Sequence, residues 1–294
     1  MSGAYRSAMP PPSTAVLITG CSSGIGRATA KHLAQRGHVV YASARRPDSI
    51  ADLEADGCRL LALDVTDEDS MAAAVQAVET EYGAVGALIN NAGYSQSGAI
   101  ETVPLDEVRR QFETNVFGLV RMCQLVLPAM RAQRSGRIVN ISSIGGTLVF
   151  PGGGFYHATK YAVEALSDAL RFELKGFGIQ VVIVEPGIIR SRFAEAVSSA
   201  LPQTASGGPY TSFNAAVEES THNTYEEGSF VGRLGGPPEA VAKVIERAIT
   251  VKSPKTRYRV TPSARLLIPS RGLMTDKTWD RLMGTQFPHP GEES

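Results

Sequence analysis

Tyr156 and Lys160 stand four residues apart in the run Tyr156-His157-Ala158-Thr159-Lys160, and Ser143 precedes the tyrosine by thirteen residues. On a helix, residues four apart share a face. An ammonium near a phenol favours the phenolate. Lys160 would therefore lower the Tyr156 pKa from its ordinary value near ~10 and make it a proton donor usable near neutral pH. Ser143 could hold and polarise the oxygen that receives the proton. Taken alone, a Tyr–Lys pair at this spacing is a common surface pair. His157 points to another face of the helix and is read as structural.

The second chemistry-bearing group is a glycine turn, Gly20-Cys21-Ser22-Ser23-Gly24-Ile25-Gly26, which directly follows an apolar strand and opens a helical pattern. Glycines let the backbone turn tightly and approach a pyrophosphate, whose charge a helix N-terminus stabilises. The spacing is G-x-x-x-G-x-G rather than the commoner G-x-G-x-x-G, so an ordinary strand-to-helix turn is the competing reading. The place of the turn, after the first strand of an alternating chain, favours a dinucleotide.

The end of the second strand separates the two common dinucleotides. A carboxylate there would bond the ribose 2′-hydroxyl of NAD, and an arginine would receive the 2′-phosphate of NADP. The chain reads Ser43-Ala44-Arg45-Arg46, two guanidiniums and no acid. Arg45 could grip a phosphate bidentately, the alternative being a solvated basic turn. Asp64, after the third strand, could accept a bond from an adenine amino group or simply start a helix. Asn90-Asn91-Ala92-Gly93 could set backbone against a ribose or simply end a strand.

These groups need elements to bring them together. Strand-length apolar runs at Ala15–Thr19, His38–Ala44, Arg59–Leu63, Ala87–Asn90, Arg137–Ile141 and Gln180–Val184 alternate with helical patterns. The helices are expected at Ile25–Arg36, Asp67–Tyr82, about Leu105 to Arg131, and Phe155–Phe177. Continuous apolar strands separated by helices imply a parallel sheet covered on both faces. The expected class is α/β: a single doubly wound, Rossmann-like parallel sheet with helices on both faces and a helical substrate-closing insertion near the C-terminus. In such sheets ligands bind beyond the carboxyl ends of the strands. The glycine turn, Asn91 to Gly93, Ser142-Ser143 and Pro186-Gly187 all follow strand ends.

After Gly187 the composition shifts toward Ser, Gly, Pro and Ala. Helical fragments are expected at Arg192–Ser199 and Ser212–Thr224, a helix at Pro237–Val251 and a last strand at Arg257–Val260. Residues 1–14, with three successive prolines, read as a disordered leader, 15–285 as one catalytic domain closed over its substrate by about 189–236, and 286–294 as a loose tail.

Of 294 residues, 29 are basic and 29 acidic, which argues against nucleic acid or an anionic membrane as a partner. No apolar run reaches the roughly 18 to 20 residues that span a bilayer. Cys21, Cys58 and Cys123 are scattered without metal-ligand spacing, which suits a reducing cytoplasm better than a disulfide scaffold. No metal is expected.

Assembled, these motifs resemble the short-chain dehydrogenase/reductase family in its single-domain form. Thr19 to Gly26, Asn90 to Gly93, Asn115, Ile141-Ser142-Ser143, Tyr156 to Lys160 and Pro186-Gly187 follow the family's order over roughly Ala15 to Ser191. The resemblance implies that Tyr156 is the general acid/base, that Lys160 lowers its pKa and bonds the nicotinamide ribose, and that Ser143 orients the substrate carbonyl. It implies that Asn115 holds a water in a proton relay at a break in its helix. Gly20, Ser22, Ser23, Gly24, Ile25 and Gly26 would cradle the cofactor, with Asp64 and Val65 near adenine and Asn91, Ala92 and Gly93 near its ribose. Pro186, Gly187, Ile188 and Ser191 would meet the nicotinamide; many members carry Thr where this chain has Ser191. Arg45, helped by Arg46, Ser22 or Ser43, resembles the NADP-preferring type, although the basic residue that many such members carry before the second glycine is here Ser23.

The implied reaction is hydride transfer between NADP(H) and a carbonyl or secondary alcohol. Phe150, Phe155, Phe193, Tyr210 and Phe213 suggest a bulky apolar substrate, and the chain looks similar to members acting on steroids, retinoids and lipids. The alternatives are a cofactor-recycling lyase or epimerase on the same fold and a non-catalytic NADP-binding regulator. Family members are often homodimers or homotetramers through the helices beginning near Leu105 and Phe155. The Leu266–Ile268 patch could dock on a membrane, but packing against the body or a partner is expected.

Overall fold

A computed structural model describes residues 11–190, 208–225 and 232–291. In it the apolar runs form seven strands: β1 (Val16–Ile18), β2 (Val40–Ala44), β3 (Arg59–Ala62), β4 (Ala87–Asn90), β5 (Gly136–Ile141), β6 (Ile179–Pro186) and β7 (Arg257–Val260). They make one sheet in the order β3-β2-β1-β4-β5-β6-β7, with every pairing parallel. The order runs outward in both directions from β1, as expected of a doubly wound sheet.

Side chains alternate across a strand, and this sorts the core into two layers. Val16 and Ile18 pack on one face against α1 (Gly24–Gln35) and α7 (Pro238–Thr250), through Ala30, Leu33, Val241 and Ile245. Leu17, between them, faces α2 (Glu68–Tyr82), α4 (Gly118–Ala132) and α5 (Gly154–Leu174), through Val75, Val78, Met122, Val126 and Val163. Local signals fix the helix ends. Asp67 accepts a bond from Ser70 N (2.9 Å) to start α2, and Gly83 at φ +76° stops it.

The long helix expected from Leu105 is not continuous. It is divided into α3 (Leu105–Phe112) and α4 by a widened π turn at Glu113–Phe117 that contains Asn115. After β6 the chain adds α6 (Thr211–Tyr225), then α7 and β7 close to the expected bounds.

The structure corrects the reading of the last stretch. Residues after β7 form two further helices, α8 (Thr261–Leu273) and α9 (Asp276–Gly284). Their Ala264, Ile268, Trp279 and Met283 join Leu148, Phe213, Val217 and Phe287 in a third apolar cluster. Phe287, assigned to a loose tail, is only 7% exposed because it packs into that cluster. Ile268 is buried and Leu267 packs beside it, which leaves Leu266 alone of that patch exposed. At the other end, Ser13 N donates to Gln133 Oε1 (2.9 Å), so the part of the leader from residue 11 is tied to the body. The Arg192–Ser199 fragment and most of the closing segment before α6 lie outside the described residues. Among the described residues, no helix is long and apolar enough to cross a membrane.

Candidate active site

The carboxyl ends of the strands open into a cavity of about 1270 Å3. Its lining brings together most of the residues singled out by type and spacing. Gly20, Ser22, Ser23, Gly24 and Ile25 form one end, with Arg45, Asp64, Val65, Asn91, Ala92 and Gly93 around them. Ser143, Tyr156 and Lys160 lie beyond, flanked by Pro186, Gly187 and Ile188. Gly26, Arg46 and Asn115 do not line it, and Ser191 lies outside the described residues.

Gly20 sits at φ +73°, and a Cβ there would come within 2.8 Å of Ala92 Cα. A Cβ on Gly26 would strike Gly20 O and Asn91 Nδ2, so this glycine serves helix–strand packing rather than the cavity wall. Asn91 donates from Nδ2 to Thr19 O and Gly20 O (both 2.9 Å), and Thr19 Oγ1 accepts from the backbone of Asn91 and Ala92 (both 3.0 Å). The ends of β1 and β4 are thereby clipped together, a role for Thr19 that spacing does not reveal. The Ser23 side chain makes no capping bond at the start of α1. A helix N-terminus free of a side-chain cap, beside glycines that a Cβ could not replace, fits a pyrophosphate.

At the adenosine end the outcome is mixed. Arg45 lines the cavity and Arg46 does not; the Arg46 carbonyl accepts from Ser49 N and Oγ as the chain enters the short turn at Pro47–Glu54. Ser43 is fully buried and donates to Ile18 O (2.7 Å), so it is no help to Arg45. Asp64 lines the cavity and its Oδ1 accepts from Thr66 N and Oγ1 (2.9 and 2.8 Å), a turn ahead of the helix that Asp67 caps. Arg110 and Thr114 also face this space and were missed, because nothing in their spacing sets them apart from an exposed helix face.

Asn115 is 1% exposed and its carboxamide is engaged by protein. It accepts from Tyr94 N (3.0 Å) and donates to Tyr94 O (2.8 Å) and Thr159 Oγ1 (3.1 Å). The side chain thus fastens the loop after β4 to α5.

Ser143 and Tyr156 stand close enough for the hydroxyl to hold the phenol pKa down in part, and Ser143 Oγ accepts from Gly145 N (3.1 Å). Burial pushes the Tyr156 phenol up to about 12 and the Lys160 ammonium down to about 8. Desolvation of the phenol therefore outweighs the lowering expected from Lys160. The Lys160 Nζ donates to Ile141 O (2.9 Å) and lies 5.7 Å from the centre of the Tyr156 ring, so its charge does not offset the desolvation of the phenol. One turn along α5, the buried Glu164 favours the charged lysine, and Arg257 from β7 bonds both Glu164 (3.0 Å) and Asp168 (2.7 Å). His157 is structural, as read. Its Nε2 accepts from Phe150 N (3.1 Å), so Nδ1 carries the proton and faces Gly145 O (3.2 Å); burial pushes its pKa down to about 4.

The strap after β6 is held by later residues: Gly187 N donates to Val260 O (3.1 Å) and Ile188 N to Ser263 Oγ (3.0 Å). Cys21 is fully buried and its thiol is pushed up to about 12, which leaves no reactive thiolate in the glycine turn. Beyond Tyr156 the cavity widens toward Phe150, Val217, Leu267, Trp279, Met283 and Phe287. Of the aromatics proposed as lining, only Phe150 faces this space. Phe213 and Tyr210 pack in the third cluster, and Phe193 lies outside the described residues.

Comparison with known proteins agrees with this geometry. The profile of the short chain dehydrogenase family matches residues 14–202. The chain is 38% identical over 253 residues to a 3-ketodihydrosphingosine reductase of Bacteroides thetaiotaomicron, covering 86% of this chain and 89% of that one. It is 33% identical over 290 residues to an NADPH-dependent 3-dehydrocapnine reductase of Ornithobacterium rhinotracheale, covering 95% and 99%. A short-chain dehydrogenase structure from Streptomyces avermitilis superposes with a TM-score of 0.76 at 34% identity, covering 93% and 96%. With a glycine turn against an uncapped helix and a Ser–Tyr–Lys group in one cavity, the chain belongs to the short-chain dehydrogenase family of oxidoreductases.

Proposed function

We propose that this protein is an NADPH-dependent reductase of a ketone carried on a bulky, apolar, lipid-like molecule, with Tyr156 as proton donor. The observation that carries the reading is the meeting of Ser143, Tyr156 and Lys160 in one cavity, with the glycine turn at one end and apolar side chains at the other. A volume of about 1270 Å3 exceeds the upper end of the usual range for one small-molecule site, roughly 300 to 1000 Å3, and accommodates a cofactor and a substrate side by side.

The cofactor, when bound, supplies the hydride. The uncapped start of α1 receives its pyrophosphate, and Arg45 its 2′-phosphate. Ser143 holds the substrate oxygen next to Tyr156. The phenol is protonated at neutral pH and donates to the developing alkoxide. Lys160, held by Ile141 O, supplies positive charge behind the phenol and stabilises the phenolate left after donation. The names of the two reductase relatives support a keto group as the electrophile, and one of them supports NADPH as the reductant.

The test is loss of NADPH absorbance against a panel of apolar ketones, with NADPH binding measured alongside by fluorescence. Tyr156→Phe should keep NADPH affinity and lose turnover by a factor of about 100 or more, the usual range for a positioned general acid. Undiminished turnover in that variant would remove Tyr156 from the reaction. NADPH binding by the wild type without net oxidation would favour a cofactor-recycling lyase or epimerase.

A further inference from the structure

Behind the apolar end of the reaction cavity lies a second cavity of about 540 Å3. Pro151, Trp279, Met283 and Phe287 line both. The two spaces are therefore divided by a wall one side chain thick. On the far side, the buried Phe213 lines the second cavity together with the Arg271–Asp276 ion pair and the exposed Asp280 and His289.

Trp279 is the rigid part of the wall. It is 7% exposed, and its Nε1 donates to Val149 O (3.0 Å). Phe150 lies with its ring centre 5.9 Å away on the side of the reaction cavity, and the Arg271 guanidinium sits 5.5 Å over the indole. One hydrogen bond and two ring contacts leave the indole a single orientation. Met283, one turn further along α9, completes the wall with a flexible apolar side chain. No charged side chain is among the four residues shared by the two cavities, so methylene groups can be desolvated against them from the reaction cavity, while Arg271 covers part of the indole on the far side.

We propose that Trp279 and Met283 set the chain-length limit of the substrate, by closing the reaction cavity against a second cavity that takes hydrocarbon once the wall is opened. The proposal rests on the reading of the substrate as a lipid-like ketone. Each methylene added within the reaction cavity should lower KM about fourfold, until the chain meets Trp279. Beyond that length, further methylenes gain nothing.

The experiment is NADPH-dependent reduction of straight-chain methyl ketones of graded length, with KM plotted against carbon number. The wild type should show a break where KM stops falling. In Trp279→Ala, KM should continue its fourfold fall beyond the wild-type break, whatever the variant's absolute turnover. Met283→Ala, which removes less of the wall and disturbs the core less, should move the break in the same direction. Val149→Phe, added to Trp279→Ala, fills the second cavity and should restore the wild-type break, since Val149 lines only that space. Normal turnover of short ketones with an unmoved break in both alanine variants would overturn the partition alone. Absence of turnover for every ketone in the wild type would overturn the ketone reading and the partition with it.

Discussion

Tyr156 and Lys160 are moved by burial in opposite directions, and in each case toward the uncharged form. Residue type and spacing identified this pair, Ser143 and the glycine turn, because that chemistry demands particular side chains at fixed offsets. They did not reveal the balance between lysine charge and phenol desolvation, which depends on where the ammonium points. Nor did they reveal Thr19 and Ser263, whose bonds link strand ends far apart in sequence. Arg45 carries the prediction that belongs to this scale. It lines the cavity, whereas Arg46 does not and Ser43 is buried, so on the proposed reading 2′-phosphate recognition would rest on one strong charge-assisted contact. Such a contact contributes roughly 1.5 to 3 kcal/mol. Arg45→Gln should therefore cut kcat/KM for NADPH by roughly ten- to hundredfold and leave that for NADH unchanged. Equal losses with both cofactors in steady-state kinetics would assign Arg45 to structure instead.

At the scale of elements, the strands and most helices were legible because each is an apolar run or a periodic stripe bounded by a cap or a glycine. The helices α8 and α9 were not. Pro262 and Pro269 interrupt the pattern of the first, and only Trp279 and Met283 of the second are buried. The loop after β5 shows how an element junction acquires a pH response. His157 on α5 bonds Phe150 N and Gly145 O, which ties that loop to the helix. Its pKa is about 4 when folded, against about 6.5 when unfolded. Between these values the unfolded chain binds more protons, so stability is full above about pH 6.5 and is lost as pH falls toward 4. The separation corresponds to about 3 kcal/mol. Buried Glu164 and Glu185 have raised pKa values and act in the opposite sense, so the comparison must be made against a variant. In denaturant titrations from about pH 7 to about pH 4, His157→Gln should lose less stability than the wild type. Parallel pH dependences would show that the histidine is not the titrating group.

At the scale of the whole molecule, one helix face is left exposed among the described residues. Ala158, Tyr161, Ala165, Ala169 and Phe172 follow helical spacing along α5 and are exposed, with Phe172 at 83%. Phe117 at the start of α4 is exposed as well. Small residues with flanking aromatics allow two helices to approach closely, so we propose a homodimer formed through this face, with a homotetramer as the larger alternative. In sedimentation analysis the wild type should be at least dimeric and Phe172→Glu should shift toward monomer, with a loss of stability under about 0.5 kcal/mol measured on the monomer. A monomeric wild type, or an unshifted variant, would reject this face. The doubly wound parallel class followed from the alternation of strands and helices, and the strand order came from the structure. The third apolar cluster did not follow from that alternation, because it joins segments on either side of a long, compositionally mixed stretch.

The bonds that fix the strap after β6 carry a consequence for synthesis. Gly187 is fastened to Val260 and Ile188 to Ser263, so the strap's two anchors are supplied by residues translated more than seventy positions later. A chain emerging from the ribosome exposes the glycine turn, Ser143, Tyr156 and Lys160 well before either anchor exists. Closing so long a loop is slow relative to forming the local strand–helix units that precede it. The pocket is therefore finished from its oldest end to its youngest, and a chain stopped short of Val260 has the reacting groups but neither bond that holds Gly187 and Ile188 beside them.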